Sequence, residues 1–64
     1  MKEELRSILY HFYEDVEIGV DGNYYYCDCD DDKTIDFVRV DNRLTIMESV
    51  NISDYDLYQI GLYL

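Results

Sequence analysis

The sequence predicts an α+β fold: an N-terminal helix packed on a four-stranded antiparallel meander, followed by a short C-terminal helix. Three observations lead there. Apolar residues recur at helical spacing up to Val16 and alternate from there on. The turn-forming clusters Asp21-Gly22-Asn23 and Asp41-Asn42 sit at hairpin spacing. Ser53 is a good helix N-cap and opens the last segment. With 64 residues the chain is a single domain, 1–64. A chain of this size buries only about 60% of its unfolded surface, so its stability is marginal.

Each element has a local reason. Leu5, Ile8, Leu9, Phe12 and Val16 follow the i, i+3, i+4, i+7 rule, which places one apolar stripe on a helix over residues 2–14. Glu3 and Glu4 suit the positive end of its dipole. Its outer side carries Glu4, Ser7, His11, Glu14 and Asp15. From Val16 the period is two: Val16, Ile18 and Val20 alternate with Glu17 and Gly19, a half-buried strand. Asp21-Gly22-Asn23 turns the chain, because Gly and Asn tolerate positive φ. Residues 24–29 form a second strand, rich in β-favouring Tyr. The polar run DCDDDK makes the next turn, and residues 34–40 are the third strand. Asp41-Asn42 fits a two-residue hairpin loop into a fourth strand, residues 43–49.

That loop sets a register. Arg39 faces Leu44, Phe37 faces Ile46 and Ile35 faces Glu48. Ile35, Phe37, Leu44 and Ile46 then share the core face, with the first helix across it. Asp36, Val38, Thr45 and Met47 occupy the other face. In the last segment Ser53 caps a helix with Asp54 and Asp56 in its first turn and a staple between Ile52 and Leu57. A fifth strand is the alternative there, and Gly61 weakens the helix by ~1 kcal/mol.

Charge narrows the partners. Fifteen Asp and Glu stand against five Lys and Arg, a net charge of −10. A surface this negative repels phosphates, so direct binding to nucleic acid is excluded and a basic protein surface or a metal ion remains. Apolar content of 48% is too high for a disordered acidic tail. No apolar run approaches the roughly 18 residues that span a membrane. The stretch MKEELRSILYHFYED has charges throughout and no signal-peptide core, which predicts a cytoplasmic location.

The densest chemistry is YYYCDCDDDKTID, where Asp28, Asp30, Asp31, Asp32 and Asp36 crowd together. Three readings compete. Asp28, Asp30 and Asp32 match the first three ligand positions of an EF-hand loop, but Lys33 stands where that loop needs Gly and Arg39 where it needs a bidentate Glu. A zinc site needs four ligands, and Cys27, Cys29 and His11 are too few within one chain. No metal or other cofactor is therefore assigned, and the cysteines read as reduced thiols packed on one face of a strand. The third reading is a negative surface for a basic partner. Alternate strand residues lie ~6.7 Å apart, close to the ~7 Å between successive phosphates. Asp28, Asp30 and Asp32 would form a phosphate-like row if that stretch stays extended, with Glu14, Asp15 and Glu17 continuing it from the helix–strand junction.

Tyrosine supplies eight of the ten aromatic residues. It suits surfaces that are wet when free and buried when bound. Tyr10 lies off the apolar stripe and is exposed. Tyr24, Tyr25 and Tyr26 must cover both faces of their strand, so Tyr24 and Tyr26 are candidate packing area beside the carboxylates. Tyr and Asp together suit arginine, through ion pairing and cation–π contact. His11 reads as a surface residue; with no nucleophile triad and no Gly-rich phosphate loop, no catalytic residue is assigned.

In size, charge and its acidic, Tyr-rich α+β pattern, the chain resembles the small acidic inhibitor proteins that bacteriophages use against host nucleic-acid enzymes: anti-CRISPR proteins, anti-restriction proteins and inhibitors of uracil-DNA glycosylase. The stretches DGNYYY and NISDYDLY are similar in flavour to one phage family of uracil-DNA glycosylase inhibitors. The likeness is one of class and carries over no site residue. It implies occupation of a basic DNA- or RNA-binding groove by phosphate-like charge. The expectation is thus a non-enzymatic inhibitor of a DNA- or RNA-processing enzyme. The alternative is an acidic protein-interaction module without DNA mimicry, such as an immunity protein or a dimeric regulator. A second copy of the chain is a further candidate partner, with the Tyr-rich C-terminal segment as the seam.

Overall fold

In a computed structural model describing residues 1–64, the element order is α1 (Lys2–Leu9), β1 (Val16–Asp21), β2 (Tyr24–Cys29), β3 (Lys33–Val40), β4 (Arg43–Val50) and α2 (Asp54–Leu62). The strands pair antiparallel in chain order, β1-β2-β3-β4, which is the expected meander. The turn residues explain the short connections. Gly22 opens the β1–β2 loop at φ 60, and Asp41 and Asn42 take φ 52 and 65 in the β3–β4 loop. Two successive left-handed residues are what a type I′ hairpin needs, and Asp and Asn adopt that region more readily than most. At the final helix, the Ser53 hydroxyl accepts from the Asp56 N–H at 3.1 Å, so the segment is a capped helix and not a strand.

Besides one-residue extensions of β3 to Lys33 and of β4 to Val50, two features differ from the sequence reading. The first helix ends at Leu9 rather than at Glu14. The chain then tightens: the His11 N–H donates to Ile8 and the Phe12 N–H to Leu9, both three residues back. Of the apolar stripe, Leu5, Leu9 and Val16 are buried and Ile8 and Phe12 half-buried, while Tyr13, outside the expected stripe, is buried with them. The second difference is in β4. Arg39 faces Leu44 and Phe37 faces Ile46 as expected, but Asp36 then faces Glu48 and Ile35 faces Ser49. Met47 is the extra residue of a β-bulge. The unbroken register would have put Glu48 opposite the fully buried Ile35. A carboxylate there would lose its hydration without gaining a partner. The bulge reverses the phase of the strand and turns Glu48 outward.

One face of the sheet is the core. Val16, Ile18, Tyr25, Cys27, Cys29, Ile35 and Phe37 meet Leu5 and Leu9 of α1, Tyr13 of the connection and Ile60 of α2. Leu44 and Ile46 flank this cluster half-buried, and Val20, at the far end of β1, is exposed. Cys27 and Cys29 are free thiols in this core. Burial pushes the Cys27 thiol up to about 12, aided by Cys29 once that thiol ionises at high pH and by the charges of Asp36 and Asp28. It pushes Cys29 up to about 11, with Asp30 and Asp28 adding to the effect. Both are therefore protonated packing groups at neutral pH. Tyr13 brings a buried hydroxyl without a hydrogen-bond partner. No helix is long and apolar enough to cross a membrane.

Candidate functional site

With α1 and α2 on one face, the other face of the sheet is open to solvent. Its side chains follow from the register. Glu17, Asp28, Thr34 and Val50 form one row across the four strands. Gly19, Tyr26, Asp36 and Glu48 form the next. Asp21, Tyr24, Val38 and Thr45 form the third. Tyr24 and Tyr26, two apart on β2, stack with ring centroids 6.4 Å apart and an interplanar angle of 18°. Both remain close to half exposed. Gly19, opposite Tyr26, adds no side chain to compete with the ring. The result is an aromatic platform with carboxylates on several sides.

At the end of the platform the acidic turn closes β2 to β3. Asp30 leaves the extended region at φ 52, so the chain reverses just after Cys29. The expected phosphate-like row of Asp28, Asp30 and Asp32 is therefore not formed: alternation along a strand cannot continue through a turn. Asp30 instead has a fixed structural task. Its Oδ1 accepts from the N–H groups of Glu14 and Asp15, each at 3.1 Å, and its own N–H donates to the Asp15 carbonyl at 2.8 Å. Two consecutive N–H groups at the end of the α1–β1 connection thus converge on one carboxylate oxygen. A second tie holds the turn from the other side, where the Asn51 side chain donates to the Asp32 carbonyl at 2.8 Å.

These ties shape an open groove of about 710 Å³ between the β2–β3 turn and the start of β1. Asp15, Glu17, Asp28, Asp30, Asp31 and Asp32 line it, together with Tyr10. Lys33 is its one basic residue and pairs with Asp32 at 3.0 Å. The hydrogen bond that Lys33 donates to that carboxylate, and then the carboxylate's charge, raise the Lys33 pKa. The remaining carboxylates have no ion-pair partner, since the other two ion pairs are at the N-terminus, Arg6 with Glu3 and the terminal amine with Glu4. No three His, Cys, Asp or Glu side chains are grouped so as to hold a metal ion.

On the sheet face Asp36 lies opposite Glu48 of β4. Partial burial first, then the charges of Glu48 and Asp28, lift its carboxyl above the usual range. The folded chain therefore holds this proton more readily than the unfolded chain does. The destabilisation is absent at low pH, sets in as pH rises through the unfolded-state value and is complete above the folded-state value. Asp36→Asn is expected to be the more stable protein at about pH 7, with the two melting curves converging below about pH 4. Thermal melts followed by circular dichroism at several pH values measure this.

The sequence-predicted residues thus separate into groups. Asp15, Glu17, Asp28, Asp30, Asp31 and Asp32 meet at the groove. Tyr24, Tyr26 and Asp36 lie on the adjoining sheet face, with Asp28 and Glu17 shared between the two. Glu14 is exposed but does not line the groove; its backbone N–H, bound to Asp30, is what the structure uses. Sequence reasoning did not select Glu48, which the bulge brings beside Asp36, nor Lys33 and Tyr10 in the groove. Comparison with protein-family models, curated proteins and solved structures finds no match to this chain.

Proposed function

We propose that the chain is a non-enzymatic inhibitor that occupies a basic, nucleic-acid-binding surface of a DNA- or RNA-processing enzyme. One observation carries this reading. Carboxylates without an ion-pair partner from four segments, at Asp15 and Glu17, at Asp28, Asp30 and Asp31, at Asp36 and at Glu48, lie on adjoining surfaces next to two stacked, exposed tyrosines. Like charges held together weaken a small fold, and a cationic partner relieves that cost on binding. The tyrosines supply apolar area, and their ring faces suit arginine. The broken Asp row means that charge density, not regular phosphate spacing, is the feature such a partner meets.

A second reading is favoured by the tyrosine pair itself. A stacked Tyr24 and Tyr26 flanked by Asp28 and Asp36 receives arginine without any imitation of nucleic acid. It would serve an interaction module such as an immunity protein equally well. Competition separates the two, because duplex DNA displaces only a mimic.

The test is binding to a DNA-processing enzyme captured with the chain, measured across a salt series. Affinity is expected to fall steeply with salt. The triple variant Asp28→Asn, Asp31→Asn, Asp36→Asn is expected to bind at least about tenfold more weakly at low salt. Asp30 is left in place because the fold needs it. Salt-insensitive binding, or an unchanged affinity in the triple variant, overturns the electrostatic reading.

A further inference from the structure

We infer that the open edge of β1 takes up an extended, basic segment of the partner as a fifth strand, with an arginine of that segment lying across Gly19 onto the Tyr26 ring. This mode of docking rests on the basic partner proposed above and specifies which part of it the sheet holds.

β1 is an outer strand and pairs with β2 alone, in one unbroken register over all six of its residues. Asp21 and Tyr24 flank the two-residue loop Gly22-Asn23, so these two residues exchange hydrogen bonds with each other. Alternation along the strand then commits Glu17, Gly19 and Asp21 to β2 and turns the N–H and C=O groups of Val16, Ile18 and Val20 outward. Beyond β2, no backbone group of the chain bonds to them. Glu17, Gly19, Val20 and Asp21 are exposed, so this edge faces solvent. It suits the form of recognition in which main-chain bonds hold an extended peptide and alternate side chains select it.

The side chains along the edge decide what can add there. β1 carries no basic residue, and Glu17, Gly19 and Asp21 share its outer face. Residues directly opposite each other in an antiparallel pair lie on the same face. A second copy of β1 centred on Gly19 would set Glu17 against Asp21 at both ends, like charges directly across, which is destabilising. A strand with arginine or lysine at those two places forms an ion pair at each instead. Asp15, just before β1 in the acidic groove, continues the negative edge.

Gly19 shapes the middle of the edge. It lies opposite Tyr26, which is 47% exposed, and no side chain at this position stands between the ring and an added strand. Such a strand runs about 10 Å from β2, two strand spacings. A long side chain opposite Gly19 therefore lies over Tyr26, with the Asp36 carboxylate next in the same row. Arginine suits this place best, because its planar guanidinium stacks on an aromatic ring, whereas the lysine ammonium is a point charge.

The probe is the synthetic peptide Thr-Arg-Thr-Arg-Thr-Arg-Thr, titrated into the full chain at low salt and followed by NMR. Saturable binding is expected, with slowed hydrogen exchange at the Ile18 and Val20 N–H groups. The same peptide N-methylated on its threonines keeps its charge and loses the main-chain donors; it should bind at least about tenfold more weakly. Val20→Pro deletes an outward donor where an edge strand tolerates proline, and should weaken binding by a similar factor. A Cβ at Gly19 comes no closer than 3.9 Å to the Tyr26 carbonyl oxygen, an ordinary contact, so Gly19→Thr should fold. That variant should weaken the arginine peptide at least about threefold and spare its lysine counterpart. Circular dichroism reports that both variants fold. A wild type that does not bind the peptide overturns the inference. So does binding indifferent to N-methylation, a folded Val20→Pro that binds as the wild type does, or a folded Gly19→Thr that leaves the arginine peptide unaffected. The inhibitor proposal stands or falls separately, on the salt series and the Asp28→Asn, Asp31→Asn, Asp36→Asn variant with the captured enzyme.

Discussion

Asp30→Ala is expected to lower stability by about 2–3 kcal/mol and the Tm by about 10–20 °C. The substitution removes the acceptor of two backbone N–H groups, those of Glu14 and Asp15, that have no other partner in the fold. Bonds to a charged acceptor contribute more than neutral ones, and solvent near this turn offsets part of the loss. Alanine must also take φ 52, which costs roughly 1 kcal/mol for a residue without a local polar side chain. Two controls isolate these contributions. Asp30→Asn keeps an acceptor oxygen and a tolerance for the left-handed region, so it should lose about half as much. Asp31→Ala, exposed in the same turn, should stay within about 0.5 kcal/mol of the wild type. Chemical denaturation of the three variants ranks them. Equal losses for Asp30→Ala and Asp31→Ala would mean that the turn contributes charge and no architecture.

Phe37→Ala is the more damaging change. Phe37 is completely buried and is the largest fully buried side chain. It sits in an inner strand with Tyr25 of β2 on one side and Ile46 of β4 on the other. Removing it costs about 3–5 kcal/mol in lost burial plus the cavity left behind. A 64-residue chain holds roughly 3–10 kcal/mol in total, from a typical 0.05–0.15 kcal/mol per residue. The variant is therefore expected to be substantially unfolded at 37 °C, with loss of the far-ultraviolet signal. A Tm within about 5 °C of the wild type would show that the helices can close over the gap.

The legible parts of the fold were those written in neighbouring residues. Gly22, the Asp41-Asn42 pair and the Ser53 cap each act within a few positions, and each produced the expected turn or helix start. The alternation of Val16, Ile18, Cys27, Cys29, Ile35 and Phe37 likewise gave the core face. The end of α1 was not legible, because Phe12 continues the helical spacing. The chain tightens at His11 and Phe12, and the Asp30 carboxylate, from another part of the chain, then holds the N–H groups of Glu14 and Asp15 outside any helix. No local window contains that bond. The bulge at Met47 had a readable trace, since an unbroken register forced Glu48 toward the core. The acidic site followed the same division. Its composition was visible, while its geometry depended on where the strand ended and the turn began.

The same bulge has a consequence beyond the placement of Glu48. β4 is an outer strand of the sheet, so half of its backbone donors and acceptors face no partner. A straight, unpaired edge is a template onto which another chain's strand can add, and repeated addition leads to fibrils. An extra residue at Met47 breaks the even spacing of those groups midway along the strand and bends it. Any incoming strand can match the template on one side of the break but not on both. The kink that keeps a carboxylate out of the core therefore also guards a Tyr-rich, marginally stable chain against aggregation through its open edge.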